Sequence, residues 1–147
     1  MRVVIDTNIL IGGADDESSH AFKIIKAVID GRLEAYATHQ TMSENRQMLR
    51  KLVKDRAYRE TLEDFFRNLQ IVKPYKRLDV VSDPEDNKLF ESAAAVGADY
   101  LITNDREVLD VGEYGKTKVL PPLEFWAKYT EEDGDSAWQE WANMLFR

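Results

Sequence analysis

The chain has 147 residues, 44% of them hydrophobic and 10% aromatic, which suffices for one domain with a buried core. Cysteine is absent and there are only two histidines, which excludes disulfides and thiolate catalysis and disfavours histidine-based mechanisms. The net charge of −7 argues against a generic nucleic-acid binder. No apolar run approaches the roughly 18 residues of a membrane helix, and no secretory signal is recognisable, so we expect a cytoplasmic protein.

Hydrophobic periodicity and turn residues predict alternating strands and helices along most of the chain. The first half begins with a strand over residues 2–5 and a helix over 19–30, capped by Ser18 or Ser19, and continues with a strand over 33–38, helices over 39–53 and 58–69, and a strand over 71–73. The second half has a helix over 84–96, a strand over 100–103, a helix over 106–110, a strand over 118–120 and a helix from residue 122. This order predicts an α/β fold with a central, mostly parallel five-stranded sheet flanked by helices.

The last eighteen residues differ in composition from the rest of the chain. Residues 130–147 hold five acids and one base, and residues 131–135 are predicted to form an acidic turn. After that turn, Trp138, Trp141 or Ala142, and Leu145 recur at helical spacing, which predicts an amphipathic helix. We therefore divide the chain into a domain over 1–129 and a tail over 130–147. The helix packs either on its own domain or on a second protein.

Acidic residues follow two of the predicted strands directly. Asp6 ends the first strand, Asp105 comes just after the fourth, and the helix beginning at Pro84 carries Asp86 in its first turn. Sites in open parallel sheets form outside the carboxyl ends of the strands, so these segments are expected to converge. Each acid also has a structural interpretation: Asp6 as a turn residue, Asp105 as a helix cap, and Asp86 as a capping-box acid.

Glu44 is ambiguous in the same way. Residues 41–44 read TMSE, which matches a capping box at a helix start. A helix that begins earlier would instead leave Glu44 on an inner turn, free to point at the edge of the sheet.

Taken together, the segments VVIDTNIL, SENRQML and SDPEDNKLFESAAAVGADYLITNDREVL closely resemble the PIN-domain family of metal-dependent ribonucleases. Within that family the resemblance is to the VapC-like branch, the toxins of toxin–antitoxin pairs, and it covers roughly residues 2–126. The resemblance implies a three-layer PIN-like fold and a domain that acts as a nuclease. It places the four acids of the family on Asp6, Glu44, Asp86 and Asp105, with Thr7, Asn8 and Thr103 as companion polar residues.

The resemblance implies that the four carboxylates bind Mg²⁺ or Mn²⁺ and catalyse hydrolysis of RNA phosphodiester bonds. The chemistry agrees, because an all-oxygen ligand set selects a hard cation and four clustered carboxylates repel one another without one. Thr7, Asn8 and Thr103 would orient these ligands by hydrogen bonds. The implied partners are an RNA substrate, a cognate antitoxin protein and a second copy of the chain in a homodimer, with no membrane.

A basic band lies within this acidic chain. Residues 46–77 hold ten Lys and Arg but four Asp and Glu, which gives the band a charge of +6. It is either a solvated helix face or a phosphate-binding surface, and Arg46, Arg50 and Lys54 are the candidate contacts.

Three other classes of protein share parts of this pattern. A haloacid-dehalogenase-type phosphatase needs an Asp two residues after the first one, and position 8 is Asn. A receiver-type signalling domain needs an acid pair after the first strand, which residues 6–8 do not supply. A catalytically silent PIN-like module that binds RNA or protein stays open, and four intact acids argue against it.

Overall fold

The computed structural model describes residues 1–13 and 19–145, except for the side chains of residues 133–141. The elements of this part are β1 (Arg2–Ile5), α1 (Thr7–Gly12), α2 (His20–Ile29), β2 (Glu34–Ala37), α3 (His39–Leu52), α4 (Arg56–Asn68), β3 (Gln70–Ile71), α5 (Pro84–Val96), β4 (Tyr100–Ile102), α6 (Arg106–Leu109), β5 (Glu113–Tyr114), β6 (Thr117–Leu120) and α7 (Pro122–Leu145). None of the described helices is long and apolar enough to cross a membrane.

The strands form one sheet in the order β3-β2-β1-β4-β6-β5. All neighbouring strands are parallel except β5 and β6, which form an antiparallel hairpin. The chain builds outward from β1 to β2 and β3, then returns through α5 to β4 on the other side of β1. The order therefore reverses between β1 and β4, and a crevice is expected at the carboxyl ends of these two strands.

Two apolar clusters cover the two faces of the sheet. Val3 and Ile5 belong to one cluster with α2, α4 and Phe125 of α7, whereas Val4 belongs to the other with Phe90 of α5. This alternation follows from the two-residue period of a strand, and it makes both faces of the central strands apolar. The three-layer α/β architecture predicted from the sequence is confirmed.

The predicted number of five strands is wrong, because a hairpin adds β5. Glu113 pairs with Lys118 and Tyr114 with Thr117, so only two residues connect the strands. Gly115 is the first of these two residues, and its φ of 58° lies in the left-handed region that glycine adopts readily in short hairpin loops. A two-residue strand carries too little periodicity to be recognised in the sequence.

The predicted acidic turn at 131–135 is also wrong, because α7 runs without a break from Pro122 to Leu145. Glu and Asp are tolerated inside helices, and one glycine costs only about 1 kcal/mol relative to alanine. The side chains of Trp138 and Trp141 lie outside the described residues, as does Ser18. What the tail packs against and the division at residue 130 both stay predictions.

Candidate metal centre

Strands β1 and β4 place two of the predicted acids side by side. Ile5 is in register with Ile102, and the Asp6 amide donates to the Ile102 carbonyl at 3.0 Å. Thr103, the residue that follows β4, is completely buried. Its Oγ1 donates to Asp6 Oδ2 at 2.8 Å and accepts from the Asp105 amide at 3.0 Å. One buried hydroxyl therefore positions both acid-bearing segments.

Asp86 lies at the start of α5 without serving as its cap. Asp83 is the N-cap residue, with Oδ1 accepting from the Glu85 amide at 2.9 Å, and Pro84 follows at the first helical position. With Asp83 as the N-cap, Asp86 occupies the capping-box position, but no hydrogen bond in the described part of the chain joins its carboxylate to the Asp83 amide. Asp86 instead lines a cleft of about 120 Å³ together with Asp6 and Glu44.

Glu44 reaches this cleft because α3 begins earlier than a TMSE capping box would require. Thr38 is the N-cap residue, and its Oγ1 accepts from the Thr41 amide at 3.0 Å. Glu44 consequently lies on an inner turn, where Gln40 Nε2 donates to its Oε1 at 3.1 Å. Asp105 stands beside the cleft and caps α6 by accepting from the Glu107 amide at 2.9 Å.

The carboxylates of this cleft disfavour one another's charge. Burial is the largest cause of a raised pKa at Asp6, and the nearby charge of Asp105 adds to it, while the Thr103 hydrogen bond lowers it. Burial, followed by the charges of Asp105, Asp83 and Asp6, raises the pKa of Asp86 to about 6. A cation placed among these groups would relieve this repulsion.

The donor set fits a hard divalent cation by its chemistry, since all four side chains offer carboxylate oxygens. Among the described residues, however, no three carboxylates or histidines already stand close enough together to hold a metal ion. Lys88 also lines the cleft, and its ammonium donates to both oxygens of Glu85 at 3.0 Å. The carboxylates are gathered at one edge of the sheet, and binding of a cation would require them to move closer together.

The predicted companion residues connect the site to its surroundings. Asn8 makes longer contacts, from Nδ2 to Asp6 Oδ2 and from the Asn104 amide to its Oδ1, both at 3.4 Å. Thr7 Oγ1 donates to Asn45 Oδ1 at 2.6 Å, and Asn45 is buried. Sequence reasoning missed Asn45, which ties α1 to the helix that carries Glu44. The sequence pattern that could have indicated Asn45 is a polar residue at a position of α3 that faces the core.

The three basic candidates are not grouped around the cleft. Arg46 donates to Glu63 Oε2 at 2.6 Å and stacks on Phe66, so its guanidinium joins α3 to α4. Arg50 lies one turn further along the same face, 4.0 Å from Glu63 Oε1. Arg46 and Arg50 follow Glu44 by two and six residues, so at 100° per residue they lie about 160° and about 120° away from it around α3. Lys54 follows the end of the helix and is exposed.

Comparison with known proteins identifies the family of the chain. The family model for the PIN domain matches residues 2–107, most of the chain. The chain therefore belongs to the PIN-domain family, which confirms the family expected from the sequence.

A solved structure has the same fold. It is a chain of "Crystal structure of VapBC2 from Rickettsia felis bound to a DNA fragment from their promoter", with a TM-score of 0.55 at 14% identity. The match covers 82% of this chain and 98% of that one. A search of curated protein sequences gives no match. The structural likeness supports the fold of the domain.

Proposed function

We propose that this PIN-domain protein is a Mg²⁺- or Mn²⁺-dependent endoribonuclease. The observation that carries the proposal is the cleft at the reversal point of the sheet, which is lined by Asp6, Glu44 and Asp86. Asp105 is tied to the same edge through Thr103. Separate segments of the chain thus deliver carboxylates to the place where an α/β sheet forms its sites.

The chain's own residues have defined roles in this reaction. Asp6, Glu44, Asp86 and Asp105 would hold one or two hard cations, and Thr103 would keep two of those carboxylates in position. A cation held there would supply an activated water and would offset the charge that develops on a phosphodiester. The reaction needs no protein nucleophile, which suits a chain without cysteine.

We further infer that the protein is the toxin of a toxin–antitoxin pair and acts in the cytoplasm. The PIN family and the likeness to a chain of the VapBC2 structure support the toxin assignment. Large apolar side chains stand on the contacting helices α1 and α3, where Ile11, Met48 and Leu52 are 37%, 38% and 56% exposed. These exposed apolar side chains support the presence of a binding partner that covers them, either an antitoxin or a second copy of the chain in a homodimer. Light scattering of the protein alone and with its antitoxin would tell these apart.

A catalytically silent PIN-like binding module is the second candidate. The ammonium of Lys88 at the cleft favours it, because a fixed cation already compensates part of the negative charge. Such a module would bind RNA or protein with no need for a metal.

Cleavage of an end-labelled RNA pool separates the two candidates. We expect wild-type protein to cleave in Mn²⁺ or Mg²⁺ but not in EDTA, and Asp86→Asn to lose at least about a hundredfold, since metal stabilisation of the transition state is worth several kcal/mol. Asp83→Asn is the matched control and should stay active, because asparagine caps helices nearly as well as aspartate. Equal cleavage by wild type and Asp86→Asn would defeat the assignment.

A further inference from the structure

A second groove of about 460 Å³ adjoins the carboxylate cleft. Its walls come from the start of α3, from residues 72–83, which we name the β3–α5 loop, and from α5. Lys88 lines both the groove and the cleft. Gln40, which lines the groove from α3, donates to Glu44 of the cleft. The two depressions are therefore neighbouring parts of one surface, and the groove has the size of cavities that hold small organic ligands, about 300–1,000 Å³.

The β3–α5 loop is firmly attached to α5 although it lacks regular structure. Asn87 is buried, and its Oδ1 accepts from the amides of Val80 and Val81 at 2.8 and 2.9 Å. Its Nδ2 donates to the Val81 carbonyl at 2.9 Å. Nearer the groove, the Leu78 amide donates to Glu91 Oε2 at 3.2 Å. The helix that carries Asp86 therefore also fixes the position of this loop.

The first half of this loop is the acid-free end of the basic band. Residues 72–78 contain Lys73, Lys76 and Arg77 but no Asp or Glu. Arg77 and Lys88 both line the groove, where the carboxylate of Glu91 already accepts from the loop backbone. Tyr75 is 80% exposed, so its ring is available to a ligand rather than to the core.

We propose that the groove and the β3–α5 loop bind the single-stranded RNA that flanks the scissile phosphodiester. Arg77 and Lys88 would contact phosphates, and Tyr75 would stack on an unpaired base. Single strands are bound in this way, by cations along the backbone and aromatic rings on base faces, with little preference for sequence. The inference rests on the proposed function and names the side of the cleft from which the substrate strand approaches.

The test uses the inactive Asp86→Asn protein as parent, so that RNA stays intact in Mg²⁺. Fluorescence anisotropy measures the Kd of a labelled 12-nucleotide RNA against salt concentration. Tyr75→Ala should raise Kd at least about fivefold, the lower end for loss of one base stack. Arg77→Gln should reduce the slope of log K against log salt by about 0.7, the value for one phosphate on a single strand. Both residues are exposed, so the variants should fold.

Lys118→Gln is the control variant, since Lys118 is exposed on β6 near the opposite, amino-terminal end of the strands. It should leave both Kd and salt slope unchanged. The inference is overturned if the two loop variants bind like the parent, or if duplex RNA binds as tightly as the single strand. If the inference is overturned but the wild type still cleaves RNA in a metal-dependent way, the proposed function is retained. If wild type neither binds nor cleaves RNA, both fail.

Discussion

Replacing Asp86 by asparagine should stabilise the metal-free protein at neutral pH. Burial and neighbouring carboxylates raise the pKa of this group from 3.8 to about 6. A group with a raised native pKa binds its proton more tightly in the folded state, so it favours folding below pH 3.8. This contribution is lost as pH rises through 6, and above that the folded protein holds an unfavourable charge.

The size of the effect follows from the two pKa values. The interval from 3.8 to about 6 corresponds to about 3 kcal/mol at 1.36 kcal/mol per pH unit. Asp86 is only partly buried, so solvent screening reduces this to ~1–2 kcal/mol. Asparagine also forfeits an interaction with the helix dipole of ~0.3–1 kcal/mol. The net gain should be ~1 kcal/mol at pH 7.5 and close to zero at pH 4.

Urea unfolding in EDTA at pH 4 and pH 7.5 measures this difference. Glu85→Gln is the matched control, because Glu85 lies in the same first turn but is exposed. That variant loses the dipole interaction and the ion pair with Lys88 without relieving a buried charge, so it should be less stable than wild type at pH 7.5. An Asp86→Asn protein that is destabilised at pH 7.5 as much as Glu85→Gln would refute the reasoning.

Three further predictions concern the surroundings of the cleft. In thermal melts, Mn²⁺ at a hundredfold excess over Kd should raise the free energy of unfolding of the wild type by about 2.7 kcal/mol, and Asp6→Asn should remove most of that increase. An undiminished increase in the variant would exclude Asp6 as a ligand. Asn45→Ala should cost ~1–3 kcal/mol in urea unfolding, because the Thr7 hydroxyl loses its partner in a buried setting; a neutral result would contradict this link. Arg46→Ala should destabilise the fold through Glu63 and leave the salt slope of RNA binding unchanged; a reduced slope would return Arg46 to the phosphate-binding surface.

Helix α5 shows how much local sequence can determine. Asp83 and Pro84 predict its start, and Gly97 predicts its end, where the backbone turns into the left-handed region at φ 61°. Both boundaries are confirmed, because each depends on residues within one turn. The ends of the strands before Asp6 and Asp105 could be predicted equally well, since each is a short apolar run that stops at a polar residue.

The parts that sequence did not predict depend on contacts between distant segments. The helix α1 is six residues long and follows Asp6 at once, and so short a run shows too little helical periodicity to predict an element there. The burial of Thr103 between two acid-bearing segments required the register of β1 against β4. Arg46 looked like part of a basic surface until the packing of α3 on α4 brought Glu63 beside it.

The most direct measurement of the central claim is anomalous diffraction from crystals soaked in Mn²⁺. We expect a peak in the cleft, where Asp6, Glu44, Asp86 and Asp105 would hold the ion. The same soak of an Asp6→Asn crystal should weaken or abolish that peak. A wild-type crystal with no Mn²⁺ at the cleft, or with an equal peak in the variant, would contradict the claim that these carboxylates form a metal centre.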